Sequence, residues 1–326
     1  MKVLGIIAVS IVGMMFLGMM IQTVLCCFER NKLNSNTYGQ LVPVNGKHIN
    51  VEIKGTGKQV IVLLPGRGIV SPILEFRSLA SMLAQYFTVV IVEPLGYGLS
   101  DETGEERTVE NIVQELHECI KKLGYNRYLL MGHSVAGIYA LSYADCYEDE
   151  LEGFIGIDTS VPGMDQNIPE VMQKAEDMLP YIIRFKQKTG MLRLSLWLQQ
   201  EKQAGSDREN QLTDCEKKIQ KWCMMCRWWN KTLMNEVKNT PYNMEKTSGM
   251  KFSSRVPVLY LLSTKNIELI PGWEELHRNI IEEQFYSQVE VLDGDHYLYN
   301  GKESEIAETV RDWAERIEKK EEAKEI

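Results

Sequence analysis

Five stretches of this chain are apolar at every consecutive position rather than at alternate ones: VIVLL (60–64), VVIV (89–92), YLLMG (128–132), FIGI (154–157) and VPVLYLL (256–262). A strand that is apolar on both faces has no face to give to water, so such runs belong to a parallel sheet covered by helices on both sides. Between them, SPILEFRSLASMLAQY (71–86) and TVENIVQELHECIKKLG (108–124) carry apolar residues at helical spacing, the second with Thr108 as N-cap and Gly124 at its C-terminal stop. Strand alternating with helix predicts an α/β sheet with right-handed crossovers. Ahead of it, residues 40–55 alternate apolar and polar around Asn45-Gly46, which predicts an antiparallel hairpin.

One of the five runs breaks in an informative way. YLLMGHSVAGIYAL (128–141) reads as a buried strand, then Gly-His-Ser-Val-Ala-Gly, then an apolar helix. The small residues on either side of Ser134 are needed where strand and helix backbones nearly touch, and such a turn lifts a hydroxyl out of the sheet. It also sets that hydroxyl at a helix N-terminus, where free N–H groups stabilise developing negative charge. Ser134 is thus a candidate nucleophile rather than an incidental turn residue.

A serine of ordinary pKa needs a base. Of five histidines, His296 follows the last expected strand in VEVLDGDHYLYN; His133 lies inside the turn as a packing residue, and His48, His117 and His277 have no special placement.

From 159 to 255 the strand signal vanishes and long helical patterns replace it, which predicts a helical cap over the carboxyl edge of the sheet, where open α/β sheets bind ligands. In it, Ile219, Trp222, Cys223, Cys226, Trp229 and Leu233 are expected on one face of a single helix, as cap core. About half of the chain's 16 Met residues fall in the cap, and their flexible thioethers suit an adaptable apolar pocket. The tail begins as an amphipathic helix with Ile306, Val310, Trp313 and Ile317 on one face.

The N-terminus differs in kind. Val3 to Leu25 is apolar without an internal charge, about the length that crosses a bilayer as a helix. No small-x-small cleavage site follows in TVLCCFER, so an uncleaved single-pass anchor is expected in preference to a signal peptide, with the side of the catalytic domain left open. Cys26 and Cys27 read as interfacial cysteines, and the Cys223/Cys226 CxxC lacks the second pair that a zinc site needs. Seven cysteines without paired spacing do not make a disulfide framework. A net charge of −9 with no basic stripe argues against a nucleic-acid partner. The expected organisation is an anchor over 1–27, a linker over 28–38, a core over 39–158 and 256–326, and the cap over 159–255.

Beyond the linker the chain resembles the α/β-hydrolase family. VLLPGRG, VVIVEPLGYGLSD and LLMGHSVAGIYALSYA carry the resemblance, with Ala136 where the family usually has glycine. The resemblance implies an oxyanion hole of two backbone amides, that of Val135 after the nucleophile and that of Arg67 after Pro65-Gly66. It also places the base at His296. The third triad member departs from the commonest pattern: the position that usually carries Asp after the 256–262 strand is Asn266. Asp158, at the end of the preceding strand, is expected to supply the acid, with Glu268, or Asn266 without charge, as the remaining choices. An amide orients an imidazole but cannot stabilise imidazolium as a carboxylate does. The function implied is a serine hydrolase that cleaves a carboxylic ester of a small, partly apolar acyl substrate through Ser134, His296 and Asp158. No metal or organic cofactor is implied. An amidase or aminopeptidase on the same fold, or a non-catalytic membrane-tethered scaffold, is the alternative.

Overall fold

The protein is described here from a computed structural model, which describes residues 2–35, 37–199, 212–283 and 285–324. Eight strands form one sheet: β1 (Gln40–Val44), β2 (Lys47–Lys54), β3 (Val60–Leu64), β4 (Thr88–Glu93), β5 (Tyr128–His133), β6 (Leu151–Ile157), β7 (Val258–Ser263) and β8 (Gln288–Leu292). Their spatial order is β1-β2-β4-β3-β5-β6-β7-β8. β2 pairs antiparallel with β1 and with β4, and β3 to β8 pair parallel. The hairpin turns at Asn45 and Gly46 with φ of 49° and 73°, the left-handed pair that a two-residue turn between twisted strands requires.

The helices are α1 (Lys2–Ser35), α2 (Pro72–Glu75), α3 (Arg77–Leu83), α4 (Val109–Lys122), α5 (Ala136–Tyr147), α6 (Glu170–Lys188), α7 (Met191–Gln199), α8 (Asp214–Cys226), α9 (Lys231–Lys246), α10 (Thr264–Leu269), α11 (Trp273–Asn279) and α12 (Glu303–Lys324). α4 and α5 cover one face of the sheet, and α3 and α12 the other. The Thr108 hydroxyl caps α4 by accepting from the Asn111 amide. Ile306, Val310, Trp313 and Ile317 of α12 are all buried, as their spacing requires.

α6 to α9 are inserted between β6 and β7, which are neighbours in the sheet. α9 is fixed to the loops that leave the carboxyl ends of β3 and β4. Asn243 accepts from the Val109 amide at 2.7 Å, Asn235 from the Arg107 amide at 2.6 Å, and Thr232 from the Thr103 amide at 2.9 Å. Asn230, which caps α9, donates to the Gly96 carbonyl at 2.6 Å. These side chains satisfy loop backbone groups that burial under a helix would otherwise leave unpaired.

Three local expectations are corrected. Residues 28–35, read as a linker, continue α1, because Leu33 is buried against the core and so rewards an ordered helix. The helix expected over 71–86 is two short ones that meet at Phe76. The stripe from Ile219 to Leu233 does not lie on one helix: the chain turns at Arg227–Asn230, with Trp229 at φ 47°, so α8 ends and α9 begins within it.

α5 approaches the loop after β6 closely at Gly137, where an added Cβ would overlap the Ser160 carbonyl and stand 2.6 Å from Thr159 Cβ. Backbone on the far side cannot yield, so Gly137→Ala should destabilise the fold by about 1–3 kcal/mol, read as a lowered Tm or denaturation midpoint. The core also encloses the imidazoles of His133 and His277, and desolvation lowers the pKa of both. Unfolded histidines titrate near about 6.5, so below that pH the unfolded state binds more protons and the folded state loses stability. These two histidines should therefore lower thermal stability between about pH 6.5 and 5, against an opposite contribution from the Glu93 and Glu115 carboxyls, whose pKa values burial raises. A melting temperature that rises as pH falls over this range would show the carboxyls to outweigh the histidines.

Candidate functional site

Ser134 sits between β5 and α5 with φ 55°, and Asp158 follows β6 with φ 44°; these are two of the four non-glycine residues with positive φ among the described residues. A left-handed backbone costs a branched or bulky residue about 1 kcal/mol or more and persists where surrounding bonds enforce it. They do so here. The Ser134 carbonyl accepts from the Gly137 amide at 3.0 Å and the Ser160 amide at 2.8 Å, while its own amide donates to the Ile157 carbonyl at 3.3 Å. The Asp158 amide donates to the Leu261 carbonyl at 2.8 Å. Both residues thus leave adjacent parallel strands at the same edge of the sheet.

Small residues let the turn close. A Cβ at Gly132 would stand 2.9 Å from that of Ala136, so the alanine in place of the usual glycine is accommodated by Gly132. A Cβ at Gly66 would stand 2.5 Å from His133 Nδ1 and 2.9 Å from Ser134 Cβ. The loop after β3 therefore runs directly over the turn, and Arg67 follows at that point. Val135, the other residue expected to offer an amide, is the first residue after Ser134 and leads into α5. The Arg67 guanidinium turns to the cap and donates to Thr240 of α9 at 2.6 Å.

Asp158 is wholly buried and its carboxylate accepts from five donors. Oδ1 receives the Ser263 amide at 3.0 Å and the Trp273 indole N–H at 3.1 Å. Oδ2 receives the Ser263 hydroxyl at 2.9 Å, the Asn266 amide at 2.6 Å and His296 Nδ1 at 2.8 Å. His296 has 32% of its side chain exposed, so its far edge faces open space. With Nδ1–H given to Asp158, Nε2 is left with a lone pair, the tautomer of a general base. The His296 carbonyl is 3.0 Å from His133 Nε2, and the two rings lie 4.6 Å apart. His133 thus holds the backbone of the loop that carries His296.

Asn266 occupies a different role from the acid whose usual place it takes. A carboxylate only accepts, so the Asn266 amide nitrogen must face Asp158. The same nitrogen lies 3.3 Å from His296 Nδ1, a contact between two donors rather than a second bond. Glu268 has no part in this network. Ser263 and Trp273 are members that the sequence reading missed. Ser263, a polar residue ending a wholly apolar strand, was a visible signal; Trp273 reaches the site only because α10 and α11 fold back over it.

Glu236 of α9 is nearly fully buried and accepts from Tyr97 at 2.9 Å and Tyr139 at 2.8 Å, a second polar cluster beside the site. It borders a cavity of about 20 Å³ lined also by Pro65, Tyr97 and Tyr139. Glu176 of α6 lies within electrostatic reach of Arg67 and His296; much of its side chain is exposed, yet its carboxyl is desolvated and its pKa raised. Among the described residues, Cys26, Glu29 and Cys226 bring three ligand atoms within 4.8 Å of one another. Glu29 is already neutralised by Arg193 at 2.7 Å, so the group serves as contact between α1 and α8. The CxxC pair splits, Cys223 pointing to the Gly98 carbonyl and Cys226 to its own helix.

The chain is 27% identical over 268 residues to the uncharacterized protein YbdG of Bacillus subtilis (strain 168), an alignment that covers 80% of each chain. Its fold is similar to that of the epoxide hydrolase VrEH1 from Vigna radiata (TM-score 0.64, 16% identity, 86% of this chain and 98% of that one). It is also similar to that of a thermophilic esterase from Thermogutta terrifontis (TM-score 0.59, 19% identity, 86% and 99%). At such identities the likeness concerns the fold alone. The family model for the alpha/beta hydrolase fold matches residues 59–247, which include the Ser134 turn and the inserted helices. Together with the sheet order and the turn after β5, this match shows that the chain belongs to the α/β-hydrolase family.

Proposed function

We propose that the protein is a serine hydrolase that cleaves a carboxylic ester of a partly apolar substrate, with Ser134 as nucleophile, His296 as general base and Asp158 as acid. The observation that carries this reading is the 2.8 Å bond from His296 Nδ1 to a buried carboxylate on the strand next to the one that ends at Ser134. Asp158 fixes the imidazole tautomer and stabilises the imidazolium that forms when Ser134 gives up its proton. Ser134 Oγ then attacks the acyl carbon. The amides of Arg67 and Val135 receive the oxyanion, and water releases the acyl group in a second, equivalent cycle. Epoxide opening or dehalogenation by an enzyme-bound ester is disfavoured, since a carboxylate nucleophile would have to stand where Ser134 stands.

Asn266, where the family usually carries Asp, is the feature that would suit a non-catalytic scaffold. Its bond to Asp158 supplies another account: the amide helps to hold the acid that replaces the one it displaced. A scaffold has no use for a buried carboxylate with five donors and a partly exposed histidine at its end.

α1 is long and apolar enough to cross a membrane. We read it as a retained anchor. Its second half is built into the cap: Gln22 donates to the Met225 carbonyl at 3.0 Å, Arg30 to the Cys226 carbonyl at 2.9 Å, and Glu29 pairs with Arg193. Cleavage near residue 25 would expose these partners.

A fluorophosphonate probe should label the detergent-solubilised full chain at Ser134 alone, as located by mass spectrometry, and Ser134→Ala should abolish labelling and lower ester turnover at least about 10³-fold. Asp158→Asn should cost on the order of 10³–10⁴ in kcat. Asn266→Ala removes one bond to Asp158 and should cost about 10-fold. Asn266→Asp is decisive for the acid. It sets a second carboxylate against Asp158, so turnover should fall below that of the alanine variant; turnover at or above the unsubstituted level would assign the acid to position 266.

A further inference from the structure

α6 and α7 are built the wrong way round for helices on a water-facing surface. On α6, Val171, Met178, Ile182 and Phe185 fall at i, i+7, i+11 and i+14, one stripe, and all four are exposed. On α7, Met191, Leu194, Trp197 and Leu198 are exposed, Trp197 by 67%, while the charged residue of that helix, Arg193, turns inward to Gln22 and Glu29 of α1. Eight large apolar side chains thus stand exposed on two consecutive helices, more than scattered surface residues would supply, and exposed apolar surface on this scale is of a kind that soluble proteins cover or use.

α1 identifies what covers it. The turn between the two helices rests on α1 at Gly18: a Cβ there would stand 2.6 Å from the Thr189 carbonyl, and Gly190 packs on the same point. Gly18 lies seven residues before Leu25, the end of the apolar run, which is roughly 10 Å along a helix axis at 1.5 Å per residue. With α1 across a bilayer, the α6–α7 turn is thereby held at the depth of the headgroups and upper acyl chains, with Lys186 and Lys188 flanking it. Amphipathic helices bury their apolar faces to about that depth.

We propose that the exposed face of α6 and α7 lies in the same bilayer as α1, as a second membrane contact formed by the cap. Glu176, on the other side of α6 from this stripe, is within electrostatic reach of Arg67 and His296. An amphiphilic ester dissolved in the bilayer would meet the cap before the water.

This inference rests on the reading of α1 as a retained anchor, and the test separates the two. The full chain is reconstituted with phosphatidylcholine vesicles, with and without acyl chains brominated just below the headgroup, and floated on a density gradient. Flotation with a component of tryptophan emission that bromolipid quenches, and that Trp197→Phe removes, is the expected result. Flotation with the Trp197 component quenched by aqueous iodide and not by bromolipid would overturn the cap contact and leave the anchor. Flotation with that component shielded from both quenchers would put a second copy of the chain on this face and overturn the cap contact equally. A chain that stays at the bottom of the gradient would overturn both.

Discussion

The buried carboxylate of Asp158 organises the carboxyl edge of the sheet. A carboxylate taken out of water is costly unless every lone pair is met, and the cost falls on the fold if a partner is missing. Five donors meet it, and they come from four places: the end of β7, the first turn of α10, the start of α11 and the loop after β8. Each of those segments is tied to the others through one charged group. The reward for assembling them is a histidine held in a single tautomer, pointing its free nitrogen away from the core. Two residues in left-handed conformation, Ser134 and Asp158, store the strain of this arrangement at adjacent strand ends, and Ser160 couples them, since its amide binds the Ser134 carbonyl two residues beyond Asp158.

The cap has two halves with different attachments. α9 is bolted to the loops after β3 and β4 by a row of Asn and Thr side chains, and Glu236 adds a buried carboxylate shared by two tyrosine hydroxyls from the core. α6 and α7 reach the core mainly through the rest of the cap. Arg184 donates to the Trp229 and Asn230 carbonyls, and Gln187 to that of Met224. Among the described residues, α7 also bonds α1 through Arg193. α9 thus meets the core largely through polar side chains, whereas α6 and α7 carry large apolar side chains that stand exposed.

The N-terminal helix joins these two themes. Its polar residues, Gln22, Glu29 and Arg30, sit where the apolar segment ends and engage α7 and α8. α1 is thus part of the cap as much as a tether to it, and Leu33 carries the contact on into the main core.

Much of this was legible in the residues. Unbroken apolar runs specify buried parallel strands because a strand has only two faces; Asn-Gly specifies the hairpin turn because both residues must take positive φ; and the small residues around Ser134 specify a turn in which two backbones touch. Asp158 was legible as well, since a carboxylate that ends an apolar strand must find partners. What those partners are was not. Asn266 and Glu268 are close in the chain, yet only one reaches Asp158, because that depends on how α10 starts and not on spacing. Trp273 is 115 residues from the group it binds. The break at Trp229 escaped the periodicity because α8 and α9 carry apolar residues in phase across it. Periodicity reports which face of an element is apolar, a local property of the chain. Whether that face meets the core, another helix or lipid is decided by what packs opposite, and only the tertiary structure brings that surface into place.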